Sequence, residues 1–259
     1  MKIIGSYVSP YVRKVLVCME LKGLEYEVDP ITPFFGNDEF RRLSPLCRIP
    51  VLIDEAMVLT DSSVIAEYLD EQYPDPKLLP VEPKERARAR WLEEFADTRL
   101  GDVFIWGLFY PKMVHPRVWN EPGDQERIDR TLSTELPAAL DYLESELPDH
   151  GYLFGEIGIA DIAIASFFRN GSYAGFVPDA ARWPKTSSFV ELVLRHPAFQ
   201  RSSREGLSGL STLVPRSLRR RRPAQVARRR SCCTGRRSSP RCCAMARAVQ
   251  PWWGKVQTC

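Results

Sequence analysis

Over residues 1–73 short apolar runs alternate with stretches of helical spacing, whereas from residue 84 to 199 every apolar pattern is helical. Lys2-Ile3-Ile4-Gly5 reads as a short strand. Ser9-Pro10 is a helix start: a hydroxyl at the N-cap, then proline at the first helical position, where its missing N–H costs nothing. Val12, Val15, Leu16 and Met19 keep helical spacing, and Gly23 supplies the stop. Residues 24–28 alternate as a half-buried strand, parallel to the first by the right-handed crossover rule. A short helix is predicted over Asp38–Leu43. Two apolar triplets, 51–53 and 57–59, flank Asp54-Glu55-Ala56 as a β-hairpin, with Pro50 at the strand entrance, where proline is tolerated. Thr60-Asp61-Ser62 then caps a helix over 63–73. The order β-α-β-α-β-β-α is a compact α/β unit.

Residues 74–83 hold four prolines in ten positions, a stiff linker. Beyond it, a long helix is predicted over 84–110, with Trp91, Phe95, Leu100, Phe104 and Leu108 inward. A second covers 124–147, with Ile128, Leu132, Leu136, Leu140 and Leu143 inward and a kink or break at Pro137. Residues 159–170 are apolar on nearly all sides, as the central helix of a bundle would be. A last amphipathic helix covers 187–195. The domains are therefore expected at 1–77 (α/β) and 84–199 (all-α helical bundle), with residues 200–259 as a tail.

Composition changes the picture at that tail. The chain has 259 residues and a formal net charge of +3. From Arg201 onward there are fourteen arginines and one lysine against the single Glu205, which leaves 21 basic and 32 acidic side chains in residues 1–200. Five of the seven cysteines (Cys232, Cys233, Cys242, Cys243 and Cys259) also lie there. The tail is expected to be disordered. It reads either as an arm for nucleic acid or acidic surfaces or as a frameshifted or read-through extension, since apolar periodicity stops at Phe199-Gln200. Nucleic-acid binding is not expected outside it. No apolar run approaches the eighteen or so residues of a membrane helix, and the N-terminus lacks a secretory h-region; a cytoplasmic protein is expected. His115, His150 and His196 are isolated, so no metal site is expected.

Four motifs, in order, carry a resemblance: Ser9-Pro10-Tyr11-Val12-Arg13-Lys14-Val15, Ile49-Pro50-Val51-Leu52, Asp61-Ser62-Ser63-Val64-Ile65-Ala66-Glu67-Tyr68-Leu69, and Gly155 through Ala160-Asp161. With an α/β unit, a proline linker and a helical second domain, residues 1–199 resemble the cytosolic glutathione transferase family, closest to its bacterial serine-type branch. The resemblance implies a thioredoxin-like first domain that binds glutathione as co-substrate, a homodimer, and attack of the glutathione thiolate on a small apolar electrophile. It implies Ser9 as the thiolate stabiliser, with Ser6 a rival three positions earlier and Tyr7 a weaker candidate. It further implies a cis-proline turn at Ile49-Pro50 with Val51 pairing with the cysteinyl backbone, Arg48 at the glycyl carboxylate, and Asp61 with Ser62 at the γ-glutamyl end. Trp106, Tyr110 and Met113 would line the second-substrate pocket. Asp161 would be a structural cap, although Gly158 stands where a hydroxyl residue is usual. Cys18 and Cys47 do not occupy the Ser9 position, which disfavours a disulfide reductase.

The chemistry is physically attainable. A free thiol ionises near pH 8.5, and helix N-termini or cations lower this to roughly 3.5–7.5. Two units require about 2.7 kcal/mol of preferential thiolate stabilisation. A hydroxyl hydrogen bond to an anion supplies roughly 1.5–3 kcal/mol, and a helix terminus about 0.3–2 more. Ser9 would act as a donor, not a nucleophile. Two alternatives belong to other classes: a non-catalytic interaction or ligand-binding member of the same fold, and a nucleic-acid binder acting through the tail.

Overall fold

A computed structural model of the protein describes residues 1–30 and 38–202. The expectations for the arginine and cysteine clusters of the tail, and for its disorder, lie outside the described residues. Strands β1 (Lys2–Gly5), β2 (Glu27–Pro30), β3 (Val51–Asp54) and β4 (Met57–Thr60) form a sheet in the order β2-β1-β3-β4. β2 is parallel to β1, as expected for a crossover through helix α1 (Pro10–Leu21), and the other pairings are antiparallel. The two-residue period of the strands sorts their side chains. Ile3 and Leu52 join Val12 and Val15 of α1, and Ile65 and Leu69 of α3 (Ser62–Gln72), in the main core. Ile4 and Val51 point to the other face and pack on Phe40 of α2 (Asp38–Leu43).

β2 begins three residues later than its apolar alternation predicts. Leu24 N–H donates back to Met19 C=O at 3.0 Å, and Gly23 sits at φ +64°, so the residues after α1 serve its C-terminal turn first.

Helix α4 (Pro83–Phe95) continues without interruption into Ala96–Trp119, a run of wide π-type turns that ends at Asn120 in the left-handed conformation. The sequence predicts an end near Tyr110, before Pro111. In an α-helix proline removes a donor and its ring meets the carbonyl four residues back; widened turns shift that carbonyl, and the helix passes both Pro111 and Pro116. The predicted break at Pro137 is a similar wide turn, Thr131–Glu135, between α5 (Gln125–Arg130) and α6 (Leu136–Glu146). Two predicted core residues move outward. Trp91 is 48 % exposed, because Ala89, Leu92 and Ala96 form the inward face of α4; its indole N–H donates to the Tyr142 hydroxyl at 2.7 Å. Leu132 lies in the wide turn, which points Thr131 inward instead.

Helix α7 (Ile159–Tyr173) is buried along most of its length and packs on α1, α4 with its extension, and α8 (Pro184–Arg195); α9 (Pro197–Ser202) closes against α1. One hydrophobic core runs from the sheet through α1 into these helices. Asp161 caps α7: its Oδ2 accepts from Gly158 N–H and its Oδ1 from Leu153 N–H, both at 2.9 Å. Burial raises this carboxyl to about 6, against the pull of the backbone donors. Glycine at 158 has a steric cause. A Cβ there would stand 2.7 Å from the Leu78 carbonyl oxygen, which accepts from Ile159 N–H at 3.0 Å. Gly158→Ala should therefore destabilise the fold by about 1–3 kcal/mol; a denaturant midpoint equal to wild type would show that the linker yields freely.

Candidate active site at the first helix

β1 ends at Gly5, where a Cβ would meet Val12 Cγ2 at 2.5 Å, so the strand end lies directly on α1. The chain then turns through Ser6–Ser9, closed by Ser9 N–H donating to Ser6 C=O at 2.9 Å. Ser9 is the N-cap of α1, and its Oγ accepts from Val12 N–H at 3.4 Å. That long contact uses an acceptor lone pair and leaves the hydroxyl proton to donate. Ser9 is half-exposed, whereas Ser6 is buried at 8 % exposure with its Oγ accepting from Val8 N–H at 3.4 Å. Of the two sequence candidates, Ser9 is the more open.

The Ile49-Pro50 bond is cis. Val51, which the resemblance pairs with the cysteinyl backbone, follows this proline as the first residue of β3. It is paired in register with Ile4 on one side and Thr60 on the other, so its N–H and C=O lie inside the sheet. Ile49, one residue before the proline, is half-buried and outside every strand, and its N–H and C=O meet no partner among the described residues. Arg48 is tied through its backbone: its N–H donates to Ser44 Oγ at 3.0 Å, and that hydroxyl donates to Arg48 C=O at 2.8 Å. Its exposed guanidinium forms no ion pair among the described residues.

Asp61 stands at φ 79°, ψ 129°, a conformation costly for any residue with a Cβ. Its carboxylate caps α3, accepting from Ser63 N–H at 2.9 Å and Val64 N–H at 3.3 Å. Ser62, almost fully buried, keeps its own N–H and Oγ without partners among the described residues at the positive end of an eleven-residue helix. The two arms therefore differ: Ser62 offers donors, and Asp61 is already half-committed to the cap.

Beneath this end of α3 lies a charged cluster to which the sequence pointed only by two basic residues inside an apolar helix. Lys14 Nζ, 1 % exposed, contacts Asp97 Oδ2 at 2.6 Å, Glu93 Oε1 at 2.7 Å and Ser63 Oγ at 3.1 Å. Burial opposes its charge, but the two carboxylates outweigh that and raise its pKa. Asp97 is pushed up to about 6 by burial, against the pull of Lys14. The Asp97 Oδ1 is buried without a hydrogen-bond partner. Tyr11 donates to Asp97 C=O at 2.8 Å; burial and the Asp97 carboxylate hold its hydroxyl in the neutral form. Arg48, Asp61 and Asp102 act electrostatically on the same hydroxyl, Arg48 opposing the two carboxylates.

The expected second-substrate trio divides. Trp106 and Tyr110 pack with centroids 5.3 Å apart and ring planes tilted by 44°, and His115 meets the Tyr110 ring edge-on at 5.0 Å. Trp119 Nε1–H donates to the Tyr110 hydroxyl at 3.1 Å. Met113 instead faces the core, because the wide turns rotate it off the Trp106 face.

Residues 3–77 match the glutathione S-transferase N-terminal domain family. The chain is 30 % identical over 209 residues to the uncharacterized GST-like protein YibF of Escherichia coli, covering 78 % of this chain and 98 % of that one. It is 29 % identical over 212 residues to a maleylacetoacetate isomerase of Pseudomonas aeruginosa, covering 78 % and 95 %. A crystal structure of a glutathione S-transferase from Rhodospirillum rubrum superposes with a TM-score of 0.71 at 28 % identity, over 78 % of this chain and 90 % of that one. A relative 30 % identical and matched over nearly its whole length, together with the match of residues 3–77, shows that the chain belongs to the glutathione S-transferase family.

Proposed function

We propose that the protein is a glutathione transferase in which Ser9 holds the glutathione sulfur as a thiolate at the N-terminus of α1. The observation that carries this is the N-cap hydroxyl of Ser9, half-exposed, with its proton uncommitted at the positive end of a twelve-residue helix. The tripeptide would pair its cysteinyl backbone with Ile49, place its γ-glutamyl carboxylate on the Ser62 N–H and Oγ, and bring its glycyl carboxylate towards Arg48. The thiolate attacks an electrophilic carbon: a carbon–sulfur bond forms, and the leaving group departs with its bonding pair, or the electrons move into a conjugated acceptor. Trp106 and Tyr110 would face the apolar part of that electrophile. A homodimer in the cytoplasm belongs to the same proposal.

Isomerisation is a second reading, favoured by the near-full-length similarity to a maleylacetoacetate isomerase. There the same thiolate adds to a double bond, rotation follows, and the thiolate is expelled. Retention on glutathione-agarose followed by conjugation of a generic aryl halide tests the first reading. Glutathione-dependent isomerisation of maleylacetoacetate without net glutathione consumption would select the second. Retention without either activity would favour a ligand-binding role.

Ser62→Ala removes one donor to a carboxylate, worth roughly 1.5–3 kcal/mol. Glutathione affinity should fall roughly 10- to 100-fold by calorimetry, with the ionisation of the bound thiol unchanged. An affinity equal to wild type would remove Ser62 from the site.

A further inference from the structure

The loop that carries Ser9 is bolted to the helical half of the protein through one buried cation. Arg13 of α1 is 0 % exposed. Its Nη2 donates to Tyr7 C=O at 3.1 Å and Val8 C=O at 3.3 Å, the two carbonyls directly before Ser9. Its Nη1 donates to Ser166 C=O at 2.8 Å and Asn170 Oδ1 at 2.9 Å, both on α7. Asn170 Nδ2 reaches back to the same Val8 C=O at 3.0 Å. Arg13 and Asn170 thus hold each other and jointly grip the loop.

The environment is unusual for a buried guanidinium. Its charged and titratable neighbours are Tyr173, whose ring centroid is 5.9 Å away, and Arg169, and no carboxylate pairs with it among the described residues. Burial pulls its pKa down to about 10, so it stays cationic at neutral pH. A buried charge left without a counter-ion is costly unless it is well hydrogen-bonded. Here it is bonded only to neutral oxygens, with its Nε unpartnered, so no carboxylate cancels its charge beside the first turn of α1.

We propose that Arg13, clamped by Asn170, is the positioning residue of the Ser6–Ser9 loop, so that α7 of the helical half governs how much of the bound thiol is ionised. This inference rests on the glutathione reading above. Neither residue touches the sulfur: Asn170 orients Arg13, Arg13 fixes the Tyr7 and Val8 carbonyls, and these fix Ser9. A role in stability alone would leave the ionisation of bound glutathione untouched, which separates the two possibilities.

The test uses the full chain with glutathione as probe, and follows thiolate absorbance of the bound tripeptide against pH in wild type, Asn170→Asp, Asn170→Ala, Arg13→Met and Arg13→Lys. Asn170→Asp keeps an acceptor for Arg13 but adds a neutralising charge; it should raise the bound thiol pKa by about 1, a tenfold loss of thiolate at pH values below it. Asn170→Ala loosens the grip without adding charge and should give a smaller rise, and Arg13→Lys, which keeps the charge, should restore part of the wild-type value relative to Arg13→Met. Affinity for glutathione with its thiol protonated should change less than about threefold, under 1 kcal/mol. Asn170 variants that fold, bind glutathione and titrate like wild type would overturn the proposal while leaving the transferase reading intact. Failure of every variant to fold would assign the clamp to folding and overturn it equally. A wild-type thiol as weakly acidic as free glutathione would overturn both.

Discussion

Ser9→Ala is expected to cut conjugation at about pH 6.5 by roughly 10- to 100-fold, because the bound thiol loses a hydrogen bond worth roughly 1.5–3 kcal/mol to its anion. The loss should shrink as pH rises towards the ionisation of the free thiol, near 8.5, where solvent removes the proton unaided. Affinity for glutathione at the lower pH should change little, since the proposed grip on the tripeptide is mainly at its carboxylates and backbone. Ser6→Ala is the control: its hydroxyl is buried behind the loop and already accepts from Val8 N–H. A pH–rate profile of kcat/KM for both variants decides the matter. If Ser6→Ala shows the loss and Ser9→Ala does not, the thiolate sits three residues earlier than the helix N-cap.

Lys14→Met is expected to be the most damaging single change to stability. It leaves Glu93 and Asp97, buried beside each other, without their ammonium. Breaking a buried pair by removing one partner costs about 3–5 kcal/mol, which for a chain of this size lowers the melting temperature by on the order of 10 °C. The pH dependence has a definite sign. Asp97 already ionises near 6, above the value of about 3.9 for an unfolded aspartate. The folded state therefore binds its proton more readily than the unfolded chain does. Stability from this group rises as pH falls from about 6 to about 4 and is lost as pH rises through the folded value. Without Lys14 that carboxyl should titrate higher still, so the deficit of Lys14→Met should be largest at neutral pH and narrow on acidification. Melting curves from about pH 5 to about pH 8 would expose a contrary trend.

What the sequence carried and what it did not follow one line. Ser9 and Asp61 were legible because a cap is a local device: the acceptor, the donors and the following apolar face lie within four residues of one another. The strand pattern was legible because Ile3, Ile4, Val51 and Leu52 alternate between two cores. The surroundings of Val51 are not legible in the sequence, because its neighbours, Ile4 and Thr60, come from separate strands, and only the assembled register shows it between them with Ile49 outside the sheet. Leu132 follows a 3.6-residue period in the sequence, and both it and Met113, which the resemblance groups with Trp106, lie in segments whose wide turns obey a longer one. Arg13 and Lys14 were hardest to read. Two adjacent cations inside an apolar helix are a conspicuous anomaly, but their partners outside the Ser6–Ser9 loop lie 49 to 157 positions away, on α3, α4, its extension and α7.

That distance matters for function. The groups proposed to touch glutathione come almost entirely from the first 62 residues, while the groups that hold them in place come from the helical half. In the proposed reading the first half supplies the chemistry and the second much of its geometry, and one hydrophobic core runs through both.

The most direct measurement is the ultraviolet absorbance of glutathione thiolate bound to the unmodified protein, followed from about pH 5 to about pH 9. With Ser9 and α1 acting as proposed, half the bound thiol ionises at least one unit below the free value of about 8.5, and Ser9→Ala moves that midpoint back towards it. Bound glutathione that ionises where free glutathione does, with or without Ser9, would contradict the proposed chemistry at its root.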